Sequence, residues 1–255
     1  MEKNKKIVIA NWKMQLSPAE ASLQAKNFKK LYNKAGLEKK VEVAIAPDFL
    51  SYLEVAKVFA GSNIFLAAQN GYSETKGAFT GEISLATLKE TGCTYVLIGH
   101  SERRQFFAET DESINNKISF ALQQDLIPVL CIGETFADRK DGRKDVVVMQ
   151  QVQNALRGID IKPSQTLIIA YEPVWAIGSG QAMQPAELKH TAMIIRQSLI
   201  DVLEDKDLPL VKIIYGGSVN SENISSFTDL DIISGALIGG ASLEAEKFID
   251  LIKQI

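Results

Sequence analysis

Three side chains of the types that carry out proton transfer stand directly after apolar runs of this sequence. Lys13 comes soon after the run KIVIA, His100 follows TYVLIG, and Glu172 follows TLIIAY. A carboxylate can take up a proton, an imidazole can donate one, and an ammonium group stabilises negative charge that develops beside it. The three together indicate acid–base chemistry, provided that the fold brings them to one place.

Each of the three also has an ordinary structural interpretation. A lysine after a strand is usually a solvated surface cation, and a histidine there can cap the helix that follows. A glutamate before a proline, as Glu172 is before Pro173, ends a strand in many proteins. Only the coincidence of all three at strand ends favours a functional site.

Two glycine pairs follow later apolar runs. Gly216 and Gly217 precede Ser218, and Gly239 precedes Gly240. Such pairs are most often turns. At the ends of the seventh and eighth strands of a barrel they instead favour a phosphate site built from backbone N–H groups.

The apolar runs number eight, and most of them lack polar alternation. Strands that are covered on both faces have this pattern, which is typical of a parallel sheet. The runs are KIVIA (6–10), VEVAIA (41–46), IFLAA (64–68), TYVLIG (94–99), IPVLCIG (127–133), TLIIAY (166–171), VKIIYG (211–216) and GALIGG (235–240).

Helical patterns lie between these runs. Ser17 and Glu20 form a capping box with Pro18 at the first helical position, and Pro185 opens another helix. Three apolar stripes have helical spacing: Ala21, Ala25, Phe28 and Tyr32; Ile114, Ile118, Ala121 and Leu122; and Leu188, Ala192, Ile195, Leu199 and Leu203.

Eight strands alternating with helices over 255 residues predict an α/β fold. The arithmetic is that of a (βα)8 barrel, the TIM-barrel architecture, as a single domain over residues 1–255 with its chemistry at the C-terminal ends of the strands. A doubly wound sheet would have fewer strands and often a GxGxxG turn, which the sequence lacks.

Composition excludes several function classes. A net charge of −3 and 46% hydrophobic residues give no basic face for nucleic acid. No apolar run reaches the roughly 20 residues of a membrane helix, and none resembles a signal peptide, so we expect a cytoplasmic protein with no membrane partner.

Cys93 and Cys131 are expected to be reduced thiols, and two histidines and two cysteines without ligand spacing predict no metal site. Arg103 stands at the last glycine position of a GxSxG elbow, which argues against a serine hydrolase.

Six segments taken in order strongly resemble the triosephosphate isomerase family, over about residues 6 to 252. They are NWK (11–13), IGHSERR (98–104), CIGE (131–134), AYEPVWAIGSG (170–180), YGGSV (215–219) and IGGASL (238–243). The resemblance implies a cofactor-free isomerase that interconverts dihydroxyacetone phosphate and glyceraldehyde 3-phosphate.

The resemblance also implies a role for each catalytic residue. Glu172 would be the base, and His100 would donate to the carbonyl oxygens as a neutral imidazole, a pairing for which this family is the standard example. Lys13 would offset negative charge. Glu102 would orient Lys13 or His100, and Asn11 would fix the loop that presents Lys13.

Substrate binding and a lid follow from the same resemblance. The residues expected to bind substrate and phosphate are Asn11, Lys13, Gly178, Ser179, Ser218, Gly239 and Gly240. The residues expected to form a lid over the base are Pro173, Val174, Trp175, Ala176, Ile177, Gly178, Ser179 and Gly180. Tyr215 is expected to hydrogen bond to the closed lid.

Family members are typically homodimers, in which the loop after the third strand inserts beside the active site of the second subunit. Here that loop is residues 69–82. Its expected contact residues are Gln69, Thr80, Gly81 and Glu82, with Thr80 reaching furthest.

The sequence departs from the family pattern at two positions. Gln181 stands where lysine is common, and Ser234 stands where an acidic residue is common. The second change would remove an ion pair to Arg196, unless Asp231 substitutes.

Two other functions are weighed against the isomerase: a barrel aldolase with Lys13 as its Schiff-base amine, and a non-catalytic barrel that binds sugar phosphates.

Overall fold

A computed structural model describes residues 5–176 and 182–255 of the chain. In it, eight parallel strands close into a barrel in the order in which they occur along the chain, and the predicted (βα)8 fold is confirmed. The strands are β1 (Lys6–Asn11), β2 (Val41–Ala46), β3 (Ile64–Ala68), β4 (Cys93–Ile98), β5 (Ile127–Ile132), β6 (Leu167–Tyr171), β7 (Val211–Tyr215) and β8 (Gly235–Ile238).

Helices surround the barrel and connect the strands. Within the described residues they are α1 (Pro18–Ala35), α2 (Phe49–Phe59), α3 (Leu85–Glu90), α4 (Ser101–Phe106), α5 (Asp111–Gln123), α6 (Phe136–Lys140), α7 (Lys144–Leu156), α8 (Pro185–Ile200), α9 (Ile224–Thr228) and α10 (Ala245–Ile252). Short 3-10 turns lie at Leu37–Lys39, Val174–Ala176, Leu208–Leu210 and Gly240–Ser242.

The start of α1 shows how local sequence sets an element. Ser17 Oγ accepts a hydrogen bond from the Glu20 backbone N–H at 3.4 Å, and Glu20 Oε2 accepts from the Ser17 N–H at 2.8 Å. The helix ends before Gly36, whose φ of 62° lies in the left-handed region that glycine tolerates. The predicted apolar stripe of α1 is buried, so the capping box and the stripe are both confirmed.

The strands bury side chains on both of their faces. One face points into the barrel, where Ile9, Tyr95, Val129 and Ile168 belong to a compact interior cluster. The other face packs against the helices in a larger cluster. Because the barrel interior is filled with apolar side chains, polar groups on the strands can gather only near the barrel ends.

Two expectations need correction. The apolar stripe of α8 was expected to run to Leu203, but α8 ends at Ile200, and Leu203 is buried from the turn that follows.

The second expectation concerns Asp231, which the sequence offers as an ion-pair partner for Arg196. Within the described residues Arg196 Nη1 instead donates to the Leu208 carbonyl at 3.2 Å, and burial without a carboxylate partner lowers the pKa of Arg196.

Candidate active site

The C-terminal mouth of the barrel contains a cavity of about 410 Å³. It brings together all three residues that the sequence singled out for proton transfer, together with both glycine-rich strand ends. The predicted site residues that line it are Asn11, Lys13, His100, Glu172, Ser218, Gly239 and Gly240.

Lys13 is held in an uncommon backbone conformation by two side chains. Its φ is 52°, in the left-handed region, which costs roughly 1–2 kcal/mol for a residue other than glycine. Asn11 Oδ1 accepts from the Lys13 N–H at 3.0 Å, and Gln69 Nε2 donates to the Lys13 carbonyl at 2.9 Å. Asn11 and Gln69 thus hold the backbone on both sides of Lys13, and no sequence pattern indicated the contact made by Gln69.

Glu102 links Lys13 to His100. Its Oε1 accepts from Lys13 Nζ at 2.6 Å, and its backbone N–H donates to His100 Nδ1 at 3.2 Å. The sequence left open which of the two Glu102 would orient, and the geometry places it against both.

His100 caps a helix and also lines the cavity. It is the N-cap of α4, because its Nδ1 accepts the Glu102 backbone N–H at 3.2 Å. A nitrogen that accepts is unprotonated, so this hydrogen bond assigns the ring proton to Nε2. Nε2 lies 3.3 Å from Glu172 Oε1, where the imidazole can act as a neutral donor.

Glu172 is almost completely buried, with 2% of its surface exposed. Its Oε2 accepts from the Ser101 N–H at 3.4 Å. Two glycines make room for it: a side-chain carbon on Gly216 would lie 2.7 Å from Glu172 Cγ, and one on Gly133 would lie 1.7 Å from the Glu172 carbonyl oxygen. Gly133, after β5, therefore accommodates the Glu172 backbone, and Gly216, after β7, accommodates its side chain.

The first residues of the predicted lid are anchored by Glu134, a fully buried carboxylate. Its Oε1 accepts from Trp175 Nε1 at 2.8 Å, and its Oε2 accepts from the Tyr171 hydroxyl at 2.9 Å. Burial, together with the charge of Glu134, raises the pKa of Tyr171. The Glu134 side chain thus holds Tyr171, which precedes Glu172, and Trp175, which follows it.

Glu134 is the residue that sequence reasoning missed. It ends the CIGE segment, whose resemblance to the family implies no role for this carboxylate. The available signal was a carboxylate directly after the apolar run of β5, the same pattern that identified Glu172.

The far half of the predicted lid, Ile177, Gly178, Ser179 and Gly180, lies outside the described residues, as does Gln181. Beyond it, the Met183 N–H donates to the Tyr215 hydroxyl at 3.4 Å. Burial raises the pKa of Tyr215 to about 12. Tyr215 therefore contacts the segment just after the lid.

The loop after β3 divides between the site and the surface. Gln69 contacts the backbone near Lys13, as described above, whereas Thr80, Gly81 and Glu82 are exposed to solvent. The structure does not bring these three residues to the cavity of the same chain.

Comparison with known proteins agrees with this geometry. The sequence profile of the family described as triosephosphate isomerase matches residues 6–255. The chain belongs to the triosephosphate isomerase family.

Curated triosephosphate isomerases resemble this family member over nearly their whole length. The one from Caldanaerobacter subterraneus subsp. tengcongensis is 45% identical over 96% of this chain and 98% of its own. The one from Dictyoglomus turgidum is 42% identical over 98% of this chain and 99% of its own. The one from Endomicrobium trichonymphae is 43% identical over 98% of both chains.

Two further observations concern the described part of this triosephosphate isomerase family member. None of its helices there is both long enough and apolar enough to cross a membrane. Over the same residues, no three histidine, cysteine, aspartate or glutamate side chains gather as a metal-binding group.

Proposed function

We propose that this member of the triosephosphate isomerase family interconverts dihydroxyacetone phosphate and D-glyceraldehyde 3-phosphate. The observation that carries the proposal is the meeting of Glu172, His100 and Lys13 in one cavity at the C-terminal mouth of the barrel. A base, a neutral donor and a cation are suited to an aldose–ketose isomerisation that passes through an enediolate.

Glu172 acts as the base for both proton transfers. It removes a proton from the carbon next to the carbonyl, and the electron pair left on carbon moves into the new double bond of the enediolate. The electron pair of the original carbonyl moves to its oxygen in this step. The resulting carboxylic acid then returns the proton to the neighbouring carbon, while the hydroxyl proton of the first carbon passes to the oxygen of the former carbonyl, so that the other carbonyl forms. One carboxylate reaches both carbons, and general-base catalysis of this kind contributes about 10²- to 10⁴-fold.

His100 and Lys13 stabilise the charge that builds up on oxygen. The Nε2–H of His100 donates to the substrate oxygens, and the proton position assigned above supports this role. Lys13 offsets the negative charge of the substrate and of the enediolate. Its bond to Glu102 keeps the ammonium group in place before substrate arrives.

The phosphate is bound on the opposite side of the cavity by backbone N–H groups of Ser218, Gly239 and Gly240, joined by Gly178 and Ser179 from the lid. Covering the cavity excludes water from the carboxylate and increases its basicity. It also limits the loss of phosphate from the enediolate, a side reaction that competes with isomerisation.

A coupled assay with glyceraldehyde 3-phosphate as substrate tests the proposal. We expect turnover by the wild-type protein without an added cofactor, and the absence of turnover would overturn the proposal.

Borohydride trapping in the presence of substrate tests the aldolase alternative. An adduct on Lys13 would support a Schiff-base enzyme. None is expected, because an ammonium group 2.6 Å from the Glu102 carboxylate lacks the free electron pair that a Schiff base needs.

We also propose that the chain folds as one domain and assembles as a homodimer through the loop of residues 69–82. Met14, beside Lys13, is 93% exposed, and Phe79 in the loop is 40% exposed. Apolar side chains next to an active site are typical of a surface that a second subunit covers. A sedimentation experiment at several protein concentrations tests the assembly, and a mass of one chain throughout would contradict it.

A cytoplasmic location stays a prediction from the sequence.

A further inference from the structure

Arg139, on α6, contacts elements on both sides of the predicted lid. Its guanidinium carbon lies 4.4 Å from the centroid of the Trp175 ring, in the turn that follows Glu172. Its two terminal nitrogens bind the two carboxylate oxygens of Glu187, in the first turn of α8, with Nη2 3.1 Å from Oε2. One side chain thus joins the beginning of the lid to the helix that follows it.

The indole of Trp175 is held at two places. Its Nε1–H is bonded to Glu134, and its ring face is covered by Arg139. The adjacent Val174 N–H donates to the Glu134 carbonyl at 3.1 Å. Because Trp175 comes only three residues after Glu172, the position of its side chain fixes the conformation of the backbone that follows Glu172.

We propose that Arg139 is a positioning residue for Glu172 and acts through Trp175. This inference rests on the proposed function, because it assigns Arg139 a role in the proton transfer by Glu172. A displacement of about 1 Å of a reacting group can cost on the order of 10²-fold in rate. A partial loss of Trp175 placement is therefore expected to lower kcat by about tenfold.

The choice of arginine fits this role. A guanidinium can bind a carboxylate through two nitrogens in its plane while its face stacks on an aromatic ring, which an ammonium group cannot do. The hydrogen bond that Arg139 donates to Glu187 raises the pKa of Arg139, and the charge of Glu134 contributes to the same shift. Arg139 therefore stays charged beside the indole.

The contacts of Glu187 make an informative variant possible. Lys144 Nζ lies 3.6 Å from Glu187 Oε1. Glu187 therefore keeps a cation nearby when Arg139 is replaced, and Arg139→Met is expected to fold. The matched control is Arg143→Met, since Arg143 binds Asp138 at 2.9 Å and forms no ion pair or hydrogen bond with the described residues of the lid.

The experiment measures kcat, KM, thermal stability and tryptophan emission for both variants and for Arg139→Lys. We expect kcat to fall about tenfold in Arg139→Met, to fall less in Arg139→Lys, and to stay at the wild-type value in Arg143→Met. Emission of Arg139→Met should move to longer wavelength as the indole gains water, while its Tm stays close to that of Arg143→Met.

A double-mutant cycle with Trp175→Phe separates positioning from a general structural effect. If Arg139 acts through Trp175, Arg139→Met lowers kcat much less in the Trp175→Phe background than in the wild type. An equal reduction in both backgrounds, or wild-type kcat in Arg139→Met, would overturn the inference while leaving the isomerase function intact. A wild-type protein without isomerase activity would overturn the proposed function itself, and this inference with it.

Discussion

The two sides of the cavity are built in different ways. On the side of β4 and β6, which we call the proton-transfer side, His100 and Glu172 are buried side chains that each accept one backbone N–H and lie 3.3 Å from each other. On the side of β7 and β8, which we call the phosphate side, the lining is Gly216, Gly217 and Ser218 at one strand end and Gly239 and Gly240 at the other.

The difference follows from what each side must hold. A carboxylate on a flexible side chain has several rotamers, so other residues must fix it in one of them, and the Ser101 N–H and the His100 ring lie against the two oxygens of Glu172. Backbone N–H groups have no rotamers. Glycine-rich turns are enough to present them to an anion, because no side chain blocks its approach.

The largest expected effect on the proton-transfer side comes from replacing His100. Replacing it as His100→Gln substitutes the imidazole Nε2–H with an amide that lies at a different position and cannot exchange protons with the substrate oxygens, and we expect kcat to fall by about 10²- to 10³-fold, the usual cost of losing one well-placed donor to a developing oxyanion. The coupled assay measures this loss. His190→Gln is the matched control, because His190 is exposed on α8 and contacts only Asp145 among the described residues.

A large rise in KM with unchanged kcat in His100→Gln would contradict the division into two sides. It would mean that the imidazole binds substrate in the ground state and adds nothing specific to the transition state.

Glu172→Asp tests how closely the base must be placed. Shortening the side chain withdraws the carboxylate by about one methylene, and we expect kcat to fall on the order of 10²-fold with the fold retained. Steady-state kinetics and a thermal melt measure the two effects. Glu204→Asp, on an exposed side chain, is the control. Unchanged kcat in Glu172→Asp would remove Glu172 as the base.

Gly239→Ala probes the phosphate side. The added methyl would lie 3.6 Å from Lys13 Cε, an ordinary contact, so the fold should tolerate it. It would obstruct the approach of an anion to the backbone. Since a hydrogen bond to a charged group contributes about 1.5–3 kcal/mol, we expect KM to rise about tenfold or more.

Inhibition by inorganic phosphate gives the second measurement for Gly239→Ala. We expect the inhibition constant to rise with KM while kcat changes less than in Glu172→Asp. If kcat fell by the larger factor, the phosphate side would also position the reacting carbons, and the contrast between the two sides would fail.

The fold and the reactive groups of the site could be predicted from local patterns. The run VEVAIA coincides with β2, and the other apolar runs overlap their strands within a residue or two. Buried parallel strands have continuous apolar sequences, and this barrel places every strand end at one mouth. Lys13, His100 and Glu172 could therefore be placed together without coordinates.

The supporting residues could not be predicted in the same way. Arg139 lies on α6, Glu187 on α8 and Trp175 between β6 and α8, and nothing in their local sequence indicates that they meet. A buried carboxylate such as Glu134 also has no local signature of its partners. These contacts arise only when the barrel closes and brings β5, β6 and their loops together.

The pair formed by Arg139 and Glu187 gives the smallest expected effect, and its pH dependence shows whether charge or packing holds it. The Arg139 guanidinium lowers the pKa of Glu187 by hydrogen bonding. A carboxyl whose pKa is lowered on folding stabilises the protein above its unfolded pKa, about 4.3 for glutamate, and loses that contribution as pH falls through its folded pKa. Because both side chains are partly exposed, solvent limits the contribution to about 1 kcal/mol at most.

Glu187→Gln should therefore be less stable than the wild type at pH 7 by up to about 1 kcal/mol, which corresponds to a Tm lower by about 2–4 °C. The difference should shrink as pH falls below about 4.3, because the wild-type carboxyl then becomes protonated and resembles the neutral amide. Thermal melts of both proteins over this pH range measure it. The absence of a difference at every pH would show that the shape of the Glu187 side chain, which glutamine retains, and not its charge, holds Arg139 against Trp175. The contact between Arg139 and Trp175 would then depend on packing.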